Sequence, residues 1–256
     1  MRYVTAGFLL TLSTLLTTAP AQAAVLIHEY DFNGNLSDNF GGPSLVSQGG
    51  TVNSGNYSFT AGHGLSLDSA LPNPGDYSID IIFQFTDLSG FRKIIDTKDR
   101  TADRQLYDIN SNLQFYPGVT SGSSVFTANT DAQLVLTRDG TTTQVTGYVG
   151  GLPVITFNDG AGTNGPANDA VFSGPNNRIW FFMDDLAFCG GCEVSGGNVS
   201  LIRIYNGALT AAEVAALGGK QPPSPIPEPA GLTLLGIGGG ALAGVGAWRR
   251  RTKPAR

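Results

Sequence analysis

The residues most suited to chemistry gather around a Cys-Gly-Gly-Cys stretch, where Asp184 and Asp185 precede Cys189 and Cys192 and Glu193 follows. Carboxylates of this kind are ligands for hard cations, and calcium takes roughly six to eight oxygens from side chains, carbonyls and water. A second oxygen-bearing pair, Asn35 and Asp38, lies near the start of the chain. Together, Asn35, Asp38, Asp184, Asp185 and Glu193 form the candidate metal set, with calcium as the expected cofactor. The competing reading is that they are solvated turn residues, since aspartate and asparagine punctuate strands for their own local hydrogen bonds. No EF-hand spacing decides between the two.

The cysteines read differently. Zinc needs about four ligands, and the two histidines, His28 and His63, are far away in sequence. Gly190, Gly191, Gly196 and Gly197 mark the stretch as a loop and not as the helix start of a redox motif. In an oxidising compartment Cys189 and Cys192 are expected to form a small structural disulfide.

Catalytic patterns are weak. There is no Gly-x-Ser-x-Gly, and a serine triad would have to use His28 or His63, each more simply an ordinary strand or turn residue. Sugar binding would call for exposed aromatics, for which Trp180, Tyr107, Tyr116 and Tyr148 are candidates. Aromatics on strands usually face a core, and Trp180 is expected to be buried. The chain is not expected to be an enzyme.

These residues must be positioned mostly by strands. Tyr77, Ile79, Ile81, Phe83 and Phe85 alternate with Ser78, Asp80 and Gln84, which predicts a strand with one apolar face and one largely wet face. Similar runs occur at Leu26–Phe32, Gly64–Asp68, Arg92–Thr97, Gln105–Ile109, Leu113–Tyr116, Gln133–Arg138, Gln144–Val149, Val154–Phe157, Arg178–Met183 and Val199–Tyr205. Without a sustained helical period, the packing solution is an all-β, antiparallel two-sheet β-sandwich over residues 25–219. The clearest helix follows Thr210, whose Thr-x-x-Glu spacing to Glu213 is a capping box.

Charge narrows the partners. The whole chain carries −5, but Val25 to Pro229 holds 9 Lys+Arg against 20 Asp+Glu, a net −11. Such a domain is ill-suited to nucleic acid or anionic lipid through a basic face.

The two ends are of another character. Arg2 followed by the apolar Ala6–Leu16 and by Ala21-Gln22-Ala23 has the layout of a signal peptide, residues 1–24, with cleavage near Ala24 or Val25. At the other end a proline-rich linker, 220–229, leads to a nineteen-residue uncharged segment, 230–248, and a basic tail, 249–256. The segment is predicted to be a transmembrane helix with its C-terminus on the cytoplasmic side. Pro227-Glu228-Pro229, this glycine-rich span and Arg249-Arg250-Arg251 together resemble the PEP-CTERM tail. The resemblance covers about thirty residues. It implies recognition by an exosortase-type membrane peptidase, transient anchoring, and delivery to the cell surface or extracellular matrix.

A second resemblance covers most of residues 25–219. The run from Val199 to Glu213, ending at Leu217, resembles the final strand and short helix of LamG-like, concanavalin-type jelly rolls; Tyr30–Asp38 and Tyr77–Phe85 resemble the opening and central strands. The resemblance implies a jelly roll, a fold that hosts binding modules, hydrolases and structural domains alike. Relatives that cleave β-glucans carry Glu-x-Asp-x-x-Glu on one strand. Here Glu29 and Asp31 match its first two carboxylates, and Gly34 stands where the third would be. The reading ranked first is therefore a surface module binding polysaccharide or another exposed partner. A non-binding structural envelope protein comes next, and a glycoside hydrolase last.

Overall fold

The computed structural model describes residues 23–160 and 166–217. The signal peptide apart from its last two residues, the Pro227-Glu228-Pro229 motif, the predicted transmembrane segment and Arg249, Arg250 and Arg251 lie outside the described residues. No helix among the described residues is long and apolar enough to cross a membrane.

Fifteen strands are found among the described residues: β1 Val25–Tyr30, β2 Val46–Gln48, β3 Thr51–Asn53, β4 Asn56–Phe59, β5 Gly64–Leu67, β6 Tyr77–Phe85, β7 Phe91–Asp96, β8 Gln105–Ile109, β9 Asn112–Tyr116, β10 Val119–Thr120, β11 Ala132–Arg138, β12 Gln144–Val149, β13 Leu152–Asn158, β14 Ile179–Phe181 and β15 Gly197–Asn206. They form two antiparallel sheets. The first runs β13-β12-β11-β6-β15-β4-β3, with β1 also paired to β15, and the second runs β10-β9-β8-β7-β14-β5-β2. One edge of β15 is thus shared, β4 taking Gly197–Val199 and β1 taking Ile202–Asn206.

All eleven predicted strands are present, most within a residue or two of the expected bounds. The four missed, β2, β3, β4 and β10, are two to four residues long and rich in Ser, Asn and Thr. Pairing with longer neighbours holds them, since their own sequence pattern is too short to show a period.

The core lies between the sheets. Ile79, Ile81, Phe83 and Phe85 of β6 face it together with Leu134 and Leu136 of β11 and Ile202 and Ile204 of β15. Phe59 stacks on Phe182 at 4.6 Å, and Phe83 meets Phe85, Phe126 and Phe182, so aromatic packing fills the sandwich at one end. Such pairs add about 0.5–1.5 kcal/mol each beyond the area they bury.

The other face of β6 is not wet as its alternation predicts: Ser78 and Asp80 are fully buried. Ser78 donates to the Gly207 carbonyl and accepts from the Leu209 amide, which ties the segment after β15 across this face. Asp80 accepts from Gln133 at 3.0 Å and lies 3.5 Å from Arg203, which also donates to Glu29. Alternating polar residues therefore mark an internal ion-pair layer. The helix α1, Ala211–Ala216, begins as expected: the Thr210 amide donates to the Glu213 carboxylate and the Glu213 amide to the Thr210 hydroxyl.

Candidate functional site

The acidic residues of the Cys loop are positioned by a bulge in β7. The register of β7 against β8 shifts between Lys93 and Ile95, and the Lys93 amide there donates to the Glu193 carbonyl at 3.0 Å. A bulge leaves backbone groups free of the ladder, and here one of them pins the loop against the outer side of the second sheet. The loop itself is organised by Asp184, whose carboxylate accepts from the amides of Asp185, Gly191 and Glu193. Gly191 takes a φ of +140°, a conformation open to glycine and not to residues with a Cβ. The expected Cys189–Cys192 disulfide closes the loop.

Within this frame a buried ion cluster forms. The Lys93 ammonium, with its side chain fully enclosed, lies 3.3 Å from Asp185 and 3.7 Å from Asp96. It donates to the Arg104 carbonyl and sits 4.0 Å above the centre of the Tyr107 ring. The Tyr107 hydroxyl reaches Asp185 at 3.2 Å and Asp103 at 3.3 Å. Asp185 uses its second oxygen to accept the amides of Ala187 and Phe188. Burial acts to raise the Asp185 carboxyl, but Lys93 and these two amides outweigh it and hold it below the usual carboxylate range. At Glu193 burial, with Asp103 and Asp184 adding to it, outweighs the Tyr107 hydroxyl and Lys93 and pushes the carboxyl up to about 6.

Of the five residues expected to bind metal, only Asp185 and Glu193 come together in one potential ligand group, and the third member is Asp103, in the loop between β7 and β8. Their carboxylate oxygens lie within 4.8 Å of one another. Asp184 shapes the loop instead. Asp38 is enclosed by the His28 ring at 2.7 Å and by the amides of Glu29, Phe40 and Gly42, and Asn35 is an exposed turn residue accepting from Ser37. Both therefore do the local turn work of the competing reading. Asp103 left no signal in the sequence, because only the hairpin pairing of β7 with β8 brings it to the Cys loop.

The same outer face carries aromatic residues. Phe91, Tyr107 and Tyr116 meet edge to face, with centroids 5.3 to 6.0 Å apart. Tyr107 is buried, whereas Phe91, Tyr116 and the neighbouring Gln114 are half-buried. Trp180 is half-buried, not enclosed as its place on a strand predicts: its indole N–H donates to Asp99, and Arg100 and Arg178 lie over its ring at 5.2 and 5.3 Å. Tyr148 is buried on the first sheet. At the tip of the Cys loop Leu186 and Phe188 are 67% and 71% exposed.

The carboxylates weighed for glycoside hydrolysis are occupied locally, Glu29 by Arg203 and Asn39 and Asp31 by the Asn33 amide. His28 lies between Asp38 and the Ala70 carbonyl, and His63 against the Thr60 hydroxyl.

No family model matches this chain, and no curated protein matches it. Solved structures do. Domain 4 of a GH43 extracellular arabinanase from Geobacillus stearothermophilus, in complex with arabinotriose, is 21% identical with a TM-score of 0.55, over 76% of this chain and 98% of that one. Trypanosoma rangeli sialidase, in complex with 2,3-difluorosialic acid, is 14% identical with a TM-score of 0.56, over 74% of this chain and 32% of the sialidase. The binding domain of botulinum neurotoxin serotype D is 13% identical with a TM-score of 0.53, over 75% of this chain and 50% of the domain. The chain thus spans about a third of the sialidase and half of the toxin domain. At these identities the likeness establishes the β-sandwich fold.

Proposed function

We propose that this chain is an exported, LamG-like jelly-roll module that binds polysaccharide through the outer face of its second sheet, and that its PEP-CTERM-like tail hands it to an exosortase for display at the cell surface. The observation that carries the binding reading is the half-buried Phe91–Tyr116 pair beside Gln114, with the acidic oxygens of the Cys loop on the same face. An apolar ring face next to hydrogen-bonding side chains is what the C–H and O–H surfaces of a sugar require. The solved arabinanase domain holds an arabinotriose, which supports testing arabinan first. Trp180 is a poorer platform, because two guanidinium groups already lie over it.

Affinity electrophoresis against arabinan, a neutral β-glucan and an acidic polysaccharide tests this. Phe91→Ala and Tyr116→Ala are each expected to weaken binding to the retained polymer about tenfold, ~1.4 kcal/mol. If no polymer retards the chain, or if both variants bind as the parent does, the face is not the binding site and the structural envelope reading takes its place.

A further inference from the structure

We infer that Asp103, Asp185 and Glu193 form a divalent-cation site. Two oxygens bound to one calcium at about 2.4 Å stand no more than twice that distance apart. The three carboxylates meet that limit, at 4.8 Å or less from one another. Spacing alone does not make a site; the second observation is Glu193, which is 8% exposed and whose Oε2 is buried without a hydrogen bond of normal geometry among the described residues, the nearby Tyr107 hydroxyl being shared with Asp103 and Asp185. A buried carboxylate oxygen left unpaired is unfavourable by about 1–3 kcal/mol or more, and a cation is the partner that restores it.

Charge points the same way. The Lys93 ammonium pairs with Asp96 and Asp185, and Asp185 in turn groups with Asp103 and Glu193, so four carboxylates share this one ammonium's neighbourhood. Lys93 is shared between Asp96 and Asp185, so the negative charge left over concentrates at Asp103 and Glu193. The ion would sit on that side, away from Lys93, with Asp185 bridging ammonium and metal and the Tyr107 hydroxyl as a neutral oxygen nearby. Hard oxygen donors of this kind suit calcium over zinc. The second acidic group, Asp184 with Cys189 and Cys192, is excluded because its sulfurs are joined in the disulfide.

This inference does not depend on polysaccharide binding, and the two fail separately. The test uses the full chain and terbium, a calcium surrogate whose luminescence is sensitised by a nearby tyrosine; Tyr107 is in place to do this. Saturable terbium luminescence, displaced by calcium, is expected for the parent and for Asp131→Asn, an exposed carboxylate away from the cluster. Glu193→Gln and Asp103→Asn should each weaken it at least tenfold while melting without metal at or above the parent temperature. Absence of saturable luminescence in the parent overturns the site. So does Glu193→Gln or Asp103→Asn binding as the parent does.

Discussion

Replacing Lys93 by methionine is expected to destabilise the fold by about 3–5 kcal/mol, as breaking one half of a buried ion pair does. Methionine matches the length of the lysine stem and keeps its packing on Tyr107, so the change is one of charge. What remains is Asp96 and Asp185, 0% and 1% exposed, facing each other without the ammonium between them. Urea denaturation at neutral pH measures the loss. Adding Asp185→Asn to Lys93→Met should recover part of it, because one of the stranded charges is then removed. A loss under about 1 kcal/mol for Lys93→Met would show that the cluster is solvated and not held by charge.

The dependence on pH should be equally large and of unusual sign for an acidic protein. Burial pushes five carboxyls up: Asp80 to about 6, Asp108 to about 7, Glu193 to about 6, and Asp96 and Asp169 above the usual carboxylate range. A raised folded pKa means the folded state holds its proton longer than the unfolded chain does. The stability this brings is complete below the unfolded value and is lost as pH rises through the folded one. Asp38, Asp68, Asp87, Asp139 and Asp185 are shifted down and behave oppositely, losing their contribution as pH falls below about 4. Maximum stability is therefore expected near pH 4–5, with a decline toward pH 8.

Asp108 is the largest single contributor, since it is fully buried and the Ser111 amide and Arg92, neither in normal hydrogen-bond geometry to it, only partly offset that burial. Its part is on the order of 3–4 kcal/mol between pH 4 and 8. Asp108→Asn keeps the shape and removes the titration. It should be more stable than the parent at pH 8, near the parent at pH 5, and flatter between them. Denaturation curves across this range decide the matter, and a variant whose profile parallels the parent's would show that Asp108 is ionised and solvated in the folded state.

What the sequence disclosed and what it hid follow from range of interaction. The strand β6 was legible because five large apolar residues repeat every second position, a pattern that holds whatever the neighbours are. The Thr210–Glu213 cap was legible for the same reason, its two partners being three residues apart. Asp80 and Arg203 were hidden: each is a lone charge on an otherwise amphipathic strand, and only the register of β6 against β15 sets them opposite each other. The candidate site falls between these cases. Asp185 and Glu193 share the Cys loop and were legible, whereas Lys93, Asp103 and Tyr107 come from a different hairpin. Asp38 was misjudged because an aspartate that gathers backbone amides and one that waits for a metal look alike in a sequence.

The shared edge of β15 sets the order in which the molecule is completed. The strand that joins β6 to β1 and β4 is the last of the fifteen to be synthesised, yet it lies inside the larger sheet. Until about residue 206 has left the ribosome, β1 has no partner and β6 has only β11. Contacts so distant along the chain close slowly, and they close late. The larger sheet therefore becomes whole only when its final strand arrives.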